Sequence, residues 1–352
     1  MKAMILAAGV GSRLDPLTRN VPKPMVPVLN RPVMEHIVEM LGRNGFTDIM
    51  VNVHYLGDQI QAYFGDGSKW GVKISYSVED QLWGDAGSVK RCESFLRDDV
   101  FAVVGGDDLA DFDLESLVSF HRDNEAIATL ALSLVEDPSQ YGIALLNDRG
   151  RITRFLEKPK AANLFSNSAN TGVYIFHPRI FDLIPEGEKF GFGNNLFPIL
   201  QDENARFFGK FAFGYWKDVG SLKQYQEAHV DALRGRWDCK IPFTEDPDRD
   251  QVWVGENVEI DPSAKIGCPV VIGNNCRIEK NAQLLKNSVL ADNCVVEMGS
   301  VVRQSILWEG ACVMRNTVIE RCVVGDHCSV KSSAAVFDGV IVDPVRRNGN
   351  GG

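Results

Sequence analysis

From residue 254 onward the chain repeats every six positions, a period that few folds tolerate. Stepping from Val258 gives Val258, Ala264, Val270, Cys276, Ala282, Ser288, Cys294, Ser300, Ile306, Cys312, Val318, Val324 and Val330, each small or apolar. A second phase runs Val254, Ile260, Ile266, Ile272, Ile278, Leu284, Leu290, Val296 and Val302. Helices repeat near 3.6 and strands at 2, so neither a helix nor a meander of hairpins produces six. A parallel β-helix does, with three hexapeptides per coil and the inward residues stacked. Cys276, Cys294 and Cys312 fall eighteen apart, one per coil, so they are expected to stack on one inner face. Small apolar filler for a narrow core explains them better than a metal site.

Upstream the period changes. Strand patterns at Ala3–Ala8, Asp48–Val53, Val72–Val78 and Phe101–Val104 alternate with helical ones at Val33–Arg43, Gly57–Tyr63 and Ala86–Leu96. A helix at Asp113–Asn124 follows, then strands at Ala126–Leu134, Tyr141–Leu146, Ile152–Leu156, Gly172–Phe176 and Phe207–Phe213, and a helix at Ser221–Leu233. Such alternation predicts an α/β fold, Rossmann-like, with a mixed but mainly parallel sheet. The stretch "RGRWDCKIPFTEDPDR" has no period and reads as a linker. The expected organisation is 1–233, a linker at 234–250, the β-helix at 251–342 and a disordered tail at 343–352.

At 352 residues the chain is long for one hydrophobic core, in keeping with two domains. The net charge of −10 argues against a nucleic-acid or anionic-membrane partner, though a local basic cluster could hold a small phosphate ligand. No apolar run approaches the ~18 residues of a membrane span. The apolar start at Met1–Ala8 is too short for a signal-peptide core and runs into a glycine loop. Eight cysteines without a Cys-x-x-Cys pair suit a reduced chain, so a cytoplasmic protein is expected.

The first strand leads into "LAAGVGSRLDPLTRNVPKPMVPV", Leu6 to Val28. Glycines straight after a strand let the backbone approach a ligand and aim N–H groups at phosphate oxygens. A dinucleotide fold would need a third glycine where Leu14 stands, and a Walker loop would need Gly-Lys-Ser/Thr, which is absent. Arg13 can fork two oxygens of a polyphosphate. Lys23 is a point charge between Pro22 and Pro24, on a segment that its prolines are expected to stiffen.

Together these residues resemble the signature of the sugar-nucleotide pyrophosphorylases, Gly-x-Gly-x-Arg-Leu-x-Pro-Leu-Thr…Pro-Lys-Pro, and every position of it matches. "GGDDLADFD" (Gly105–Asp113) resembles the family's Gly-Asp segment, with Asp107 in the metal-binding position. "FLEKP" (Phe155–Pro159) resembles the segment that holds the sugar phosphate, and "NTGVYIF" (Asn170–Phe176) the sugar-binding strand. "WKDVGS" (Trp216–Ser221) resembles the segment with the second metal-binding aspartate, Asp218. The resemblance implies a GT-A-like nucleotidyltransferase domain followed by a left-handed β-helix, as in many members.

It also implies a reaction, in which a sugar 1-phosphate oxygen attacks the α-phosphorus of a nucleoside triphosphate and pyrophosphate leaves. The attacking phosphate is already ionised, so no general base is needed, and the six histidines fall in none of the motifs. The need is to neutralise and align two anions. The resemblance places Mg²⁺ on Asp107 and Asp218, the β- and γ-phosphates on Arg13, the α-phosphate on Lys23 and the sugar phosphate on Lys158. Glu157, Asn170, Thr171 and Gly142 would contact sugar hydroxyls, and the nucleotide would lie against Leu6, Ala8, Gly9, Gly11 and Gly84, with its base between Leu6–Gly9 and the stretch Glu79–Val89.

Two residues bear on the base. Guanine offers two adjacent donors that Glu79 could accept, whereas the amide of Gln81 matches uracil better. Both residues are present, but Glu79 lies five before Gly84, where guanylyl members similarly place a glutamate. The resemblance therefore leans to GTP with mannose 1-phosphate, and UTP with glucose 1-phosphate is the alternative. Where family members often carry Leu-Gly-Thr-Ala-Gly, this chain has Trp83-Gly84-Asp85-Ala86-Gly87. A catalytically silent regulatory subunit is the rival of another class, yet Arg13, Lys23, Asp107, Lys158 and Asp218 are all present. The β-helix suggests a homo-oligomer, because its open ends and edges are natural subunit contacts.

Overall fold

The structure, a computed structural model, describes residues 1–343. The tail expected to be disordered lies, from residue 344, outside the described residues. Two compact units emerge. The first comprises Met1–Val10, Pro22–Pro24 and Val33–Asp218; the second comprises Gly11–Val21, Met25–Pro32 and the chain from Val219.

The first unit is built on a nine-stranded sheet. Lys2–Leu6 sits centrally, parallel to Asp48–Val53 on one side and Phe101–Gly105 on the other, and Lys73–Val78 extends the sheet beyond Asp48–Val53. Strands rich in Val, Ile and Ala that are buried on both faces suit such a parallel centre. The helix Val33–Arg43 buries Val33, Met34, Ile37, Val38, Met40 and Leu41, a stripe at helical spacing. The expected helix over Ala86–Leu96 is two pieces, Asp85–Arg91 and Glu93–Leu96, divided at Cys92.

Ser168–Phe176 runs antiparallel to Phe101–Gly105 and to Ala128–Leu134, and its register shifts between Asn170 and Tyr174. At that bulge Gly172 adopts φ 77°, and a Cβ there would collide with the Asp108 carboxylate. A further pairing brings distant residues together: Trp216–Asp218 lies antiparallel to Asp108–Ala110, with Asp218 opposite Asp108.

The second unit contains the β-helix. Its three parallel sheets take one strand from each coil, beginning at Val252–Val254, Glu259–Ile260 and Lys265–Ile266. The inward aliphatic row is Val254, Ile260, Ile266, Ile272, Ile278, Leu284, Leu290, Val296 and Val302, and then Leu307, Val313, Ile319, Val324 and Val330. After Val302 the register corrects the expected repeat. Val289 pairs with Ile306 and Val295 with Cys312, so later coils span seventeen residues and the corner between Val302 and Leu307 is five long. Cys312 therefore does not stack with Cys276 and Cys294. It points outward and is half-buried, and Ala311 takes the inner place, followed one coil later by Cys328.

Corners explain how the coils close. Asn257, Asn275, Asn281, Asn287, Asn293 and Asn316 all have left-handed φ, between 54° and 63°, which Asn tolerates better than most residues. Their side chains also stack: Asn257 donates to Asn275 at 3.3 Å, and Asn275 to Asn293 at 3.3 Å. The stretch read as a linker carries a short strand, Thr244–Glu245, antiparallel to Val252–Val254.

The proline segment also belongs largely to this unit. Asn30 donates to the Leu290 carbonyl at 3.0 Å, Tyr225 to the Pro27 carbonyl at 2.7 Å, and Trp308 to the Tyr225 hydroxyl at 2.8 Å. Tyr225 lies on the helix Leu222–Leu233, whose N-cap Ser221 accepts from the Gln224 amide.

Candidate active site

Three clusters in the first unit hold most of the residues singled out by sequence. The first is acidic. Phe101–Gly105 ends at the Gly-Asp-Asp turn, and the pairing of Asp108 with Asp218 gathers Asp107, Asp108 and Asp218. Lys23 reaches into this group, bonding Asp107 and lying 3.6 Å from Asp218 Oδ1. Burial, reinforced by the charges of Asp107 and Asp218, pushes the Asp108 carboxyl well above the usual range.

The arrangement fits a divalent cation. Asp107, in the turn after Gly105, and Asp218, on the strand Trp216–Asp218, both approach one positive charge, the Lys23 ammonium, and both are hard oxygen donors of the kind such a cation takes. Among the described residues no group of three or more His, Cys, Asp or Glu is disposed as a metal cage.

The second cluster is a cavity of about 330 Å³ lined by Leu6, Ala8, Gly9, Asn52, Glu79, Leu82, Trp83, Gly84, Asp85, Ser88 and Lys189. Asn52 organises its floor. Its Oδ1 accepts from the Ala7 amide at 2.8 Å, and its Nδ2 donates to Glu79 Oε1 at 3.0 Å. Glu79 is only 3% exposed, and its Oε2 is buried without a hydrogen-bond partner. A buried carboxylate oxygen left unpaired is costly, so the cavity is complementary to a ligand N–H. The structure does not bring Gln81 here, for its side chain is exposed and outside the lining.

In the third cluster, Glu157 and Lys158 follow the hairpin strand Ile152–Leu156, and Lys158 Nζ lies 3.8 Å from Glu157 Oε1. Burial raises the Glu157 carboxyl, against the lowering effect of Lys158. Gly142 and Gly193 flank this carboxylate; a Cβ at Gly142 would lie 2.6 Å from Glu157 Oε2. Asn170 donates to the Tyr174 hydroxyl at 2.9 Å. Thr171 departs from expectation: its side chain is buried and donates to the Ala131 carbonyl at 2.9 Å, so the hydroxyl serves the sheet.

Gly11 and Arg13 fall in the second unit, where Gly11 takes φ 69° ahead of the short turn Ser12–Leu14 and Arg13 is exposed. Sequence reading missed Asn52 and Lys189. Of these only Asn52 left a signal, as a lone polar residue inside the apolar strand "DIMVNV".

Residues 2–235 match the nucleotidyl transferase family, and residues 249–346 match the EIF2B subunit epsilon LbH domain, a left-handed β-helix. The chain belongs to the nucleotidyl transferase family, whose members generally use a divalent metal ion. Among individual proteins it is 37% identical to the UTP–glucose-1-phosphate uridylyltransferase of Synechocystis, over 96% of this chain and 90% of that one. It is 34% identical to the mannose-1-phosphate guanylyltransferase catalytic subunit beta of Danio rerio, over 94% and 87%. A solved Bacillus anthracis structure, described as a glucose-1-phosphate thymidylyltransferase in complex with sucrose, superposes with a TM-score of 0.61 at 28% identity. That match covers 70% of this chain and 98% of the other.

Proposed function

We propose that the protein is a Mg²⁺-dependent sugar-1-phosphate nucleotidyltransferase whose preferred substrates are GTP and mannose 1-phosphate, giving GDP-mannose and pyrophosphate. The observation that carries the base assignment is the buried, unpartnered Oε2 of Glu79, a residue that lines the cavity beside Leu6–Gly9. Guanine presents adjacent N1–H and N2–H donors to such a carboxylate, whereas uracil presents a single N3–H between two acceptors.

Asp107 and Asp218 would hold the Mg²⁺, which when bound neutralises phosphate charge and orients the triphosphate. Lys23 then exchanges its carboxylate partners for the α-phosphate, where its charge counters the negative charge that builds up during attack. Lys158 draws in the sugar 1-phosphate, and Glu157 receives sugar hydroxyls in the slot left by Gly142 and Gly193. Arg13, four residues along the chain from Gly9, takes the β- and γ-phosphates. Holding two anions in line is the whole catalytic task, because the nucleophile arrives deprotonated.

A second reading, UTP with glucose 1-phosphate, draws on the Synechocystis relative that matches nearly the whole chain. Calorimetric titration with each nucleotide and Mg²⁺, without sugar phosphate, separates them. GTP binding at least tenfold tighter than UTP supports the first reading, and the reverse order installs the second. The remaining proposals are a cytoplasmic location and a homo-oligomer joined through the β-helix. No helix among the described residues is long and apolar enough to cross a membrane. The final strands of the three sheets, Ser329–Val330, Ala335–Phe337 and Val340–Ile341, have no strand beyond them among the described residues.

A further inference from the structure

Asp85 departs from the resembling family's Leu-Gly-Thr-Ala-Gly by placing a carboxylate where a hydroxyl is common. Its surroundings show what that carboxylate is attached to and what it lacks. Asp85 opens the helix Asp85–Arg91. One oxygen, Oδ1, accepts two backbone N–H groups, from Ala86 at 2.8 Å and from Phe192 at 2.6 Å. The Phe192 bond, with Gly87 N–H donating to the Phe190 carbonyl and Phe190 N–H to Trp83, ties residues 83–87 to the segment 190–192. Both donors converge on Oδ1, which fixes the plane of the carboxylate. No other described residue donates a hydrogen bond to Oδ2.

That second oxygen belongs to a side chain lining the cavity that holds Glu79. The same carboxylate lies within the electrostatic reach of Lys158, Glu157 and Tyr174. Asp85 thus stands where the nucleotide cavity meets the Glu157–Lys158 cluster. A negative group there repels phosphate, so the ligand atom it suits is a neutral donor. A hexose hydroxyl is such a donor, and its bond to a carboxylate is short and charge-assisted. Capping the helix and tethering Phe192 require one oxygen only, so the second is surplus to any purely structural role.

We propose that Asp85 is a specificity residue whose Oδ2 accepts a hydrogen bond from a hydroxyl of the incoming hexose 1-phosphate, paired across the sugar with Glu157. The proposal rests on the nucleotidyltransferase reading above. Asp85→Asn tests it, because two N–H donors hold the amide oxygen in the Oδ1 position and the NH₂ then replaces Oδ2. The structural bonds survive and only the acceptor is lost. With full-length protein, kcat/KM for the hexose 1-phosphate is expected to fall roughly 30- to 100-fold while KM for the nucleotide stays within threefold. Monodeoxy hexose 1-phosphates give a second readout. The analogue lacking the contacted hydroxyl costs the wild type a similar factor and costs Asp85→Asn nothing more.

An active wild type with an Asp85→Asn variant inside threefold overturns the proposal and leaves the activity standing. A loss that falls on the nucleotide KM instead places Oδ2 on the ribose and also overturns it. A wild type inert toward every hexose 1-phosphate overturns the underlying reading.

Discussion

Replacing Glu79 by Gln isolates a single atom of the base cavity. Asn52 Nδ2 lies 3.0 Å from Glu79 Oε1 and is itself oriented by the Ala7 amide, so the new side chain keeps its carbonyl oxygen toward Asn52. Its NH₂ then occupies the buried position of Oε2, on a residue that lines the cavity. For guanine the change removes a hydrogen bond to a charged acceptor, about 1.5–3 kcal/mol, and sets donor against donor, about 1–3 kcal/mol more. Because the two effects overlap, a combined loss of about 3–4 kcal/mol is expected, some 150- to 1,000-fold in kcat/KM for GTP. The assay is initial-rate pyrophosphate release over a range of GTP at saturating sugar 1-phosphate. UTP, whose base carries two acceptors, should lose far less. A variant within threefold of wild type on GTP would refute the idea that Oε2 reads the base.

Other consequences are equally direct. Asp107→Asn and Asp218→Asn should each lower turnover more than 100-fold at fixed Mg²⁺, because each removes charge from the cation site; retention within threefold excludes them as ligands. His121 is buried, with Nδ1 2.9 Å from Thr129 Oγ1, and burial lowers its pKa to about 4. The unfolded chain, with a histidine pKa near 6.5, binds more protons in that window. Stability from this group is thus complete above about pH 6.5 and falls by roughly 3 kcal/mol as pH drops toward 4. Urea melts of the wild type and His121→Leu should differ in pH dependence across that interval, and parallel curves would sink the assignment. In the β-helix, a maleimide should label native Cys312 faster than Cys276 and Cys294, which are at most 1% exposed. Equal protection of all three would restore the eighteen-residue stack.

How far the sequence carried depends on the kind of signal. The helix Val33–Arg43 and the strands Asp48–Val53 and Ile152–Leu156 lie where their periods put them, since burial on one face leaves a repeating apolar pattern. The pairing of Asp108–Ala110 with Trp216–Asp218 left none, being three residues long and joining segments about a hundred positions apart. The coil shortening past Val302 was hidden for a different reason. Outward residues such as Ile306 and Val318 are apolar as well, so a continued step of six still lands on acceptable residues. The left-handed asparagines mark the corners independently of the apolar rows and could have exposed the change. Among the residues singled out, the carboxylates of Glu79, at the cavity, and Glu157, beside Lys158, were legible by chemical type. Thr171 was not, because which way a strand side chain points depends on the bulge at Gly172. Gln81 failed similarly: two residues beyond a buried glutamate, it lies on an exposed turn.

The most direct test of the whole account is pyrophosphate release from the full-length protein with Mg²⁺, with GTP, UTP, ATP and dTTP each set against mannose, glucose, galactose and N-acetylglucosamine 1-phosphates. The account predicts one dominant combination, GTP with mannose 1-phosphate, abolished by chelating the metal. A folded protein that releases no pyrophosphate from any combination would contradict it and leave the fold to a catalytically silent subunit.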